Sequence, residues 1–272
     1  MSPSLLYTQI NILTCVTPVP FGKTIFVAVT RRSTVRCRVD TYRRRPWSRS
    51  LMGRTVLFDM DGVLVDSEPH WQRYWQTEVF PETVTGQPTL EDVTGRNFRE
   101  SLIVLDETYG LPGGPDRFEA ELESFAETMY RDHVSVVDGM PALVSAIDRR
   151  ASGIGIVSSS PRRWISMVVD RSPMTEPDVI VSTEDIEAPG KPHPAVYEHA
   201  MERLGVDPTD CLVVEDSVNG ARAADRAGAT VIRYRHGHDV EPIPEAAYVA
   251  DDCSHLRSLL LARLDGRGPD SR

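Results

Sequence analysis

From residue 54 onward the chain alternates short apolar runs with helix-like segments. The runs cover 55–59 (TVLFD), 154–157, 179–181, 211–214, 230–232 and 248–250. Between them, helical patterns cover 141–150 after an Asp138-Gly139 turn, a stretch opening near Pro161, 194–204 stopped by Gly205, 217–227 stopped by Gly228, and 254–263. Strands this short and this uniformly apolar need cover on both faces, which implies an α/β architecture with a parallel sheet. One segment interrupts the alternation. Residues 66–133 read as a polar, mostly helical insert with breaks at Pro81, Pro88 and 111–115. No internal repeat is found.

Charge divides the chain. Residues 1–51 hold nine basic residues and one acid, whereas the rest of the chain carries a net charge of −18. The first segment is read as a basic extension outside the fold, with Met52 as the natural start and residues 1–51 disordered or arising from a mis-placed start. The acidic body is a poor match for nucleic acid, because phosphate contacts need Lys and Arg. It holds a single lysine, Lys191, against 20 arginines. Excess acid with so little lysine predicts a halophilic cytosol, where a dense carboxylate surface stays soluble. The four cysteines (Cys15, Cys37, Cys211, Cys253) lack zinc or disulfide spacing and fit a reducing, cytoplasmic setting. No run of about 18 apolar residues is present, so no membrane span is expected.

In open parallel sheets, polar residues just past the strand ends line the ligand crevice. Here those positions hold Asp59 and Asp61, Ser158-Ser159-Ser160, and Glu215-Asp216-Ser217, with Lys191 in a loop before a helix. Clustered carboxylates repel and call for a cation. Hard oxygen ligands beside a substrate phosphate suit Mg²⁺. A carboxylate in that setting can attack phosphorus, and a second one two residues on can protonate a leaving alcohol. Lys191 would neutralise the transferring group and Ser158 would hold a phosphoryl oxygen. Ser160, just before Pro161, is read as a helix cap.

These segments, VLFDMDGVLVDSEP, VSSSP, GKPHP and VVEDSVNGARAADRAG, resemble in order the four motifs of the haloacid dehalogenase (HAD) superfamily, over 55–232. The resemblance implies a Rossmann-like parallel-sheet core (52–65 and 134–272) with a helical C1 cap (66–133) inserted between motifs I and II. It implies Asp59 as nucleophile and Asp61 as general acid/base, with Ser158, Ser159 and Lys191 binding phosphate. Asp59, the Asp61 carbonyl and Asp216 would hold Mg²⁺, supported by Glu215.

Within the family, the dehalogenase branch lacks the second aspartate, which is present here. The phosphonatase branch needs a cap lysine, and 62–190 contains none. The resemblance leaves a phosphatase acting on a small phosphomonoester, such as a sugar phosphate or phosphoglycolate, ahead of a β-phosphoglucomutase-like phosphosugar mutase and a non-catalytic binding protein. His70 and Arg96 are cap candidates for substrate contact, with His193 at the pocket mouth. A small phosphorylated metabolite is the expected partner, and the chain a monomer or homodimer.

Overall fold

The computed structural model describes residues 53–236 and 242–266. The expectations for 1–51, for Met52 and for Cys15 and Cys37 fall outside them.

The strands are β1 (Thr55–Phe58), β2 (Gly153–Ser158), β3 (Val179–Ser182), β4 (Cys211–Glu215), β5 (Thr230–Tyr234) and β6 (Tyr248–Ala250). All pair in parallel, in the order β3-β2-β1-β4-β5-β6. This is the doubly wound arrangement, in which the chain reverses direction across the sheet beside β1 and opens a crevice at the strand C-termini.

Side chains alternate between the faces, as the pleat requires. Phe58, Ile156 and Val214 point to one face, where α4 (Met140–Asp148), α5 (Arg162–Arg171) and α8 (Cys253–Leu264) bury Leu143, Ile165 and Leu260. Leu57, Val157 and Val213 point to the other, under α6 (Ala195–Leu204) and α7 (Val218–Arg226). Each such fully buried aliphatic side chain contributes about 1.5–3 kcal/mol. Gly205 ends α6 with φ of +67°, the left-handed conformation that glycine adopts without penalty. Pro161 and Pro194 stand one residue before their helices rather than at the first helical position.

Between β1 and β2 lie α1 (Glu68–Tyr74), α2 (Phe98–Tyr109) and α3 (Pro115–Thr128). Pro81 lies in a short turn (Phe80–Glu82), and the chain breaks between α2 and α3 near the expected 111–115. The segments entering and leaving this insert are tied together, with Asp66 N–H donating to Ser135 O and Val137 N–H to Leu64 O, both at 3.0 Å. Leu102, Leu105 and Leu122 of the insert join the same apolar cluster as Phe58 and Ile156.

Candidate active site

Asp59 follows β1 directly. Its N–H donates to Val214 O at 3.0 Å, which extends the β1–β4 ladder by one rung and sets the side chain beside Glu215. Met60 turns into the core, so Asp61 returns to the crevice. The chain then passes so close to Asp216 that a Cβ on Gly62 would lie 2.0 Å from its carboxylate, and Gly62 has φ of +71°. Only glycine tolerates both conditions.

Lys191 is buried among acceptors. Its Nζ donates to Glu215 Oε1 (2.6 Å), Asp59 Oδ1 (2.8 Å) and Val157 O (3.2 Å), so its three protons are all used. Burial opposes the charge of Lys191, but Asp59 and Glu215 more than offset it and hold the ammonium above the usual lysine range. Glu215 has both oxygens occupied. Tyr197 Oη also donates to Oε1 (2.5 Å), and Ser217 Oγ donates to Oε2 (3.1 Å).

The carboxylates of Asp59, Glu215 and Asp216 come within 4.8 Å of one another. Burial pushes Asp59 up, with Glu215 and Asp61 adding to the effect against the pull of Lys191. Burial likewise raises Asp216, reinforced by the charges of Glu68 and Glu215. Among the described residues no donor side chain bonds the Asp216 carboxylate, and Lys191 occupies only one oxygen of Asp59. These free oxygens, beside one already saturated ammonium, are a hard-oxygen donor set that fits Mg²⁺. Glu215 fits the supporting role expected of it, because its oxygens are taken.

Asp61 accepts from Ser67 Oγ (2.5 Å) and Tyr130 Oη (2.6 Å) on Oδ1, and from Ser160 Oγ (2.7 Å) on Oδ2. Ser160 is therefore not a helix cap. Its hydroxyl faces the crevice, and its own N–H donates to Ser158 Oγ at 3.0 Å. Ser158 ends β2 and is fully buried. Ser159 lines the crevice and also bonds the insert, its carbonyl accepting from Asn97 Nδ2 at 3.0 Å.

A cavity of about 60 Å³ joins these groups, lined by Asp59, Asp61, Ser158, Ser159, Lys191 and Asp216. The insert supplies its far wall through Glu68, Trp71, Gln72, Trp75, Arg96 and Phe98, and α5 supplies Trp164. His70 is not on that wall. Positions 68, 71, 72 and 75 share a helix face, and 70 lies on the opposite side. The His70 ring stacks on His133 at 6.3 Å instead. Arg96 does reach the cavity, and its Nε is buried without a hydrogen-bond partner. His193 caps α6, accepting from Ala195 N–H at 3.3 Å, and does not line the cavity. Arg99 is committed to Glu119, Glu123 and Glu184. Cys211 is core, its thiol pushed up to about 12 by burial.

Sequence reasoning missed Glu68, Tyr130 and Tyr197. Glu68 was within reach, since it stands in the DSE of the first motif. The two phenols carried no local signal.

Comparison with known proteins fits this geometry. The chain is 29% identical over 212 residues to a validoxylamine A 7'-phosphate phosphatase of Streptomyces hygroscopicus subsp. limoneus, covering 76% of this chain and 97% of that protein. It is 30% identical over 199 residues to hexitol phosphatase B of Escherichia coli K12, covering 70% of this chain and 84% of that protein. The fold matches CbbY of Rhodobacter sphaeroides in complex with phosphate, with a TM-score of 0.61, 24% identity, and 79% and 100% of the two chains covered. Residues 54–228, which carry all four motif segments from Asp59 to Asp216, match the haloacid dehalogenase-like hydrolases, and this chain is an enzyme of that family.

Proposed function

We propose that the protein is a Mg²⁺-dependent phosphatase that hydrolyses a small sugar-type phosphomonoester through an aspartyl phosphate. The observation that carries this reading is Lys191, buried between Asp59 and Glu215 beside a cavity that Asp61 and Asp216 also line. Asp59 would attack phosphorus, while Asp61 gives its proton to the leaving alkoxide. Asp61 would then take a proton from the water that attacks the phosphorylated Asp59, releasing phosphate and restoring both carboxyls. Ser158 would hold a phosphoryl oxygen, and the Lys191 charge, kept beside Asp59, would offset charge on the transferring group. Asp59, the Asp61 carbonyl and Asp216 would hold the metal, which when bound offsets charge on the phosphoryl group.

The wall opposite the nucleophile supports a sugar-like leaving group. Trp71, Trp75 and Trp164 offer flat apolar faces, and Glu68, Gln72 and the unpartnered Arg96 Nε offer hydrogen bonds to hydroxyls. Glu68, Trp71, Trp75 and Arg96 of the insert form the cavity wall facing the core carboxylates, so residues 66–133 would act as a cap that opens to admit substrate and closes to exclude water.

The test is phosphate release by the full chain with Mg²⁺ from a panel of sugar, hexitol and glycolate phosphates, across low and molar salt. Release from sugar phosphates with loss of turnover in Asp59→Asn supports the reading, and activity that rises with salt supports a halophilic cytosol. Asp61→Asn should slow turnover about 10²–10⁴-fold. Interconversion of glucose phosphates without release would establish the mutase instead.

A further inference from the structure

Three hydroxyls grip Asp61, and two of them belong to the ends of the insert. Ser67 stands where the chain leaves the core, and Tyr130 stands where it returns. Ser160 comes from the core itself. Ser67 is only six residues from Asp61, so local chain geometry already restrains that contact. Tyr130 reaches Asp61 across 69 residues and therefore depends on how the insert is seated.

The phenol is held on every side. Its ring stacks on Trp164 at 5.6 Å and meets the edge of Trp71 at 6.3 Å. Its backbone carbonyl accepts from Arg171 Nη1. Its oxygen accepts from Trp71 Nε1 at 3.1 Å, which leaves the single hydroxyl proton to point at Asp61 Oδ1. Ser160 Oγ stands 3.2 Å from the same phenol oxygen. When Asp61 is protonated and turns donor, the displaced hydroxyl proton has another acceptor close by.

We propose that Tyr130 is a positioning residue, fixing the aim of the Asp61 carboxyl so that proton delivery to the leaving group occurs only with the insert seated. The proposal rests on the hydrolase reading above. A proton must be delivered within hydrogen-bond reach of the leaving oxygen, and misplacement by a fraction of an ångström is costly. The phenol reaches the Asp61 carboxyl and not its backbone carbonyl, so its effect runs through the Asp61 side chain.

The experiment compares full-length wild type with Tyr130→Phe on two substrates, glycerol 2-phosphate and p-nitrophenyl phosphate. An alkoxide needs a proton to leave, whereas nitrophenolate needs little help. The ratio of kcat on the alkyl ester to kcat on the aryl ester should fall at least about tenfold, within the range that acid–base assistance spans. In an Asp61→Asn background the same substitution should change the alkyl rate less than about twofold, because the group it aims is gone. A ratio unchanged by Tyr130→Phe, or an equal loss in both backgrounds, overturns the proposal. Thermal melting monitors folding. Should Tyr130→Phe fail to fold, Arg171→Met removes the guanidinium that holds the Tyr130 carbonyl and must lower the ratio in the same direction; a constant ratio there also overturns it. Wild type that releases no phosphate from either ester overturns the hydrolase reading and this proposal together, whereas an active wild type with a constant ratio overturns this proposal alone.

Discussion

Lys191 Nζ lies 2.6 Å from Glu215 Oε1 and 2.8 Å from Asp59 Oδ1, so a carboxylate outside the bond-making chemistry anchors the one that would do it. Lys191 is 2% exposed and Glu215 is fully buried. Neither charge is solvated if the other is removed. The contact therefore serves the fold as well as the site, and the two roles separate in experiment.

Lys191→Met should cost about 3–5 kcal/mol of stability, the usual result of stranding a buried charge. Lys191→Arg should not restore activity, since a planar guanidinium cannot occupy a space shaped for a compact ammonium. Urea unfolding and phosphate release measure the two effects. A loss under about 1 kcal/mol would mean that the ion pair is not buried in solution.

Mg²⁺ held by the folded cluster of Asp59 and Asp216, and not by the unfolded chain, would raise the melting temperature. At a hundredfold excess over Kd the gain is about 2.7 kcal/mol. Asp216→Asn should lose that gain. In EDTA the same variant should be as stable as wild type or more so, since it removes like-charge repulsion. Wild type melting identically in Mg²⁺ and EDTA would dismiss the metal site.

Glu68 is pushed up to about 7 from its ordinary 4.5, first by burial and then by the charge of Asp61. The unfolded chain releases this proton near 4.5, and the folded chain keeps it until about 7. Between those values the native state binds more protons, so stability falls as pH rises through the window. Asp59 and Asp216 shift in the same direction. The metal-free protein should therefore unfold at lower urea at pH 7.5 than at pH 5, about the two ends of that window. Glu68→Gln should flatten the slope, and an unaltered slope would exclude Glu68 as a contributor.

Gly220→Ala should destabilise the protein even though Gly220 lies within a helix. Alanine gains about 1 kcal/mol of helix propensity. A Cβ there would lie 2.0 Å from the Glu215 carboxylate, and overpacking of this kind costs about 1–3 kcal/mol. Displacing Glu215 would also loosen Lys191 and lower turnover. A more stable variant with full activity would show that Glu215 can move away freely.

The gathering of the core carboxylates and Lys191 was legible in the sequence because it rests on local facts. An apolar run ending in Asp59-Met60-Asp61-Gly62 is a strand that delivers carboxylates to a crevice, and a lone lysine in an acidic body stands out. The insert was less readable. Its helices could be placed from Pro81 and the break near 111–115, but which residue of α1 faces inward depends on what α1 packs against. His70 was a candidate for substrate contact, and the structure turns Glu68 and Gln72 to the cavity instead. Ser160 was expected to cap a helix, and it bonds Asp61.

Strand and helix identities, and the carboxylates at the strand ends, follow from patterns spanning a few residues, because backbone periodicity and turn chemistry act at that range. The sheet order pairs Thr55 with Cys211, far apart in sequence, and Tyr197 grips Glu215 and Tyr130 grips Asp61 across 18 and 69 positions. Such contacts depend on how helices and strands pack in space, and no short stretch of chain encodes that packing.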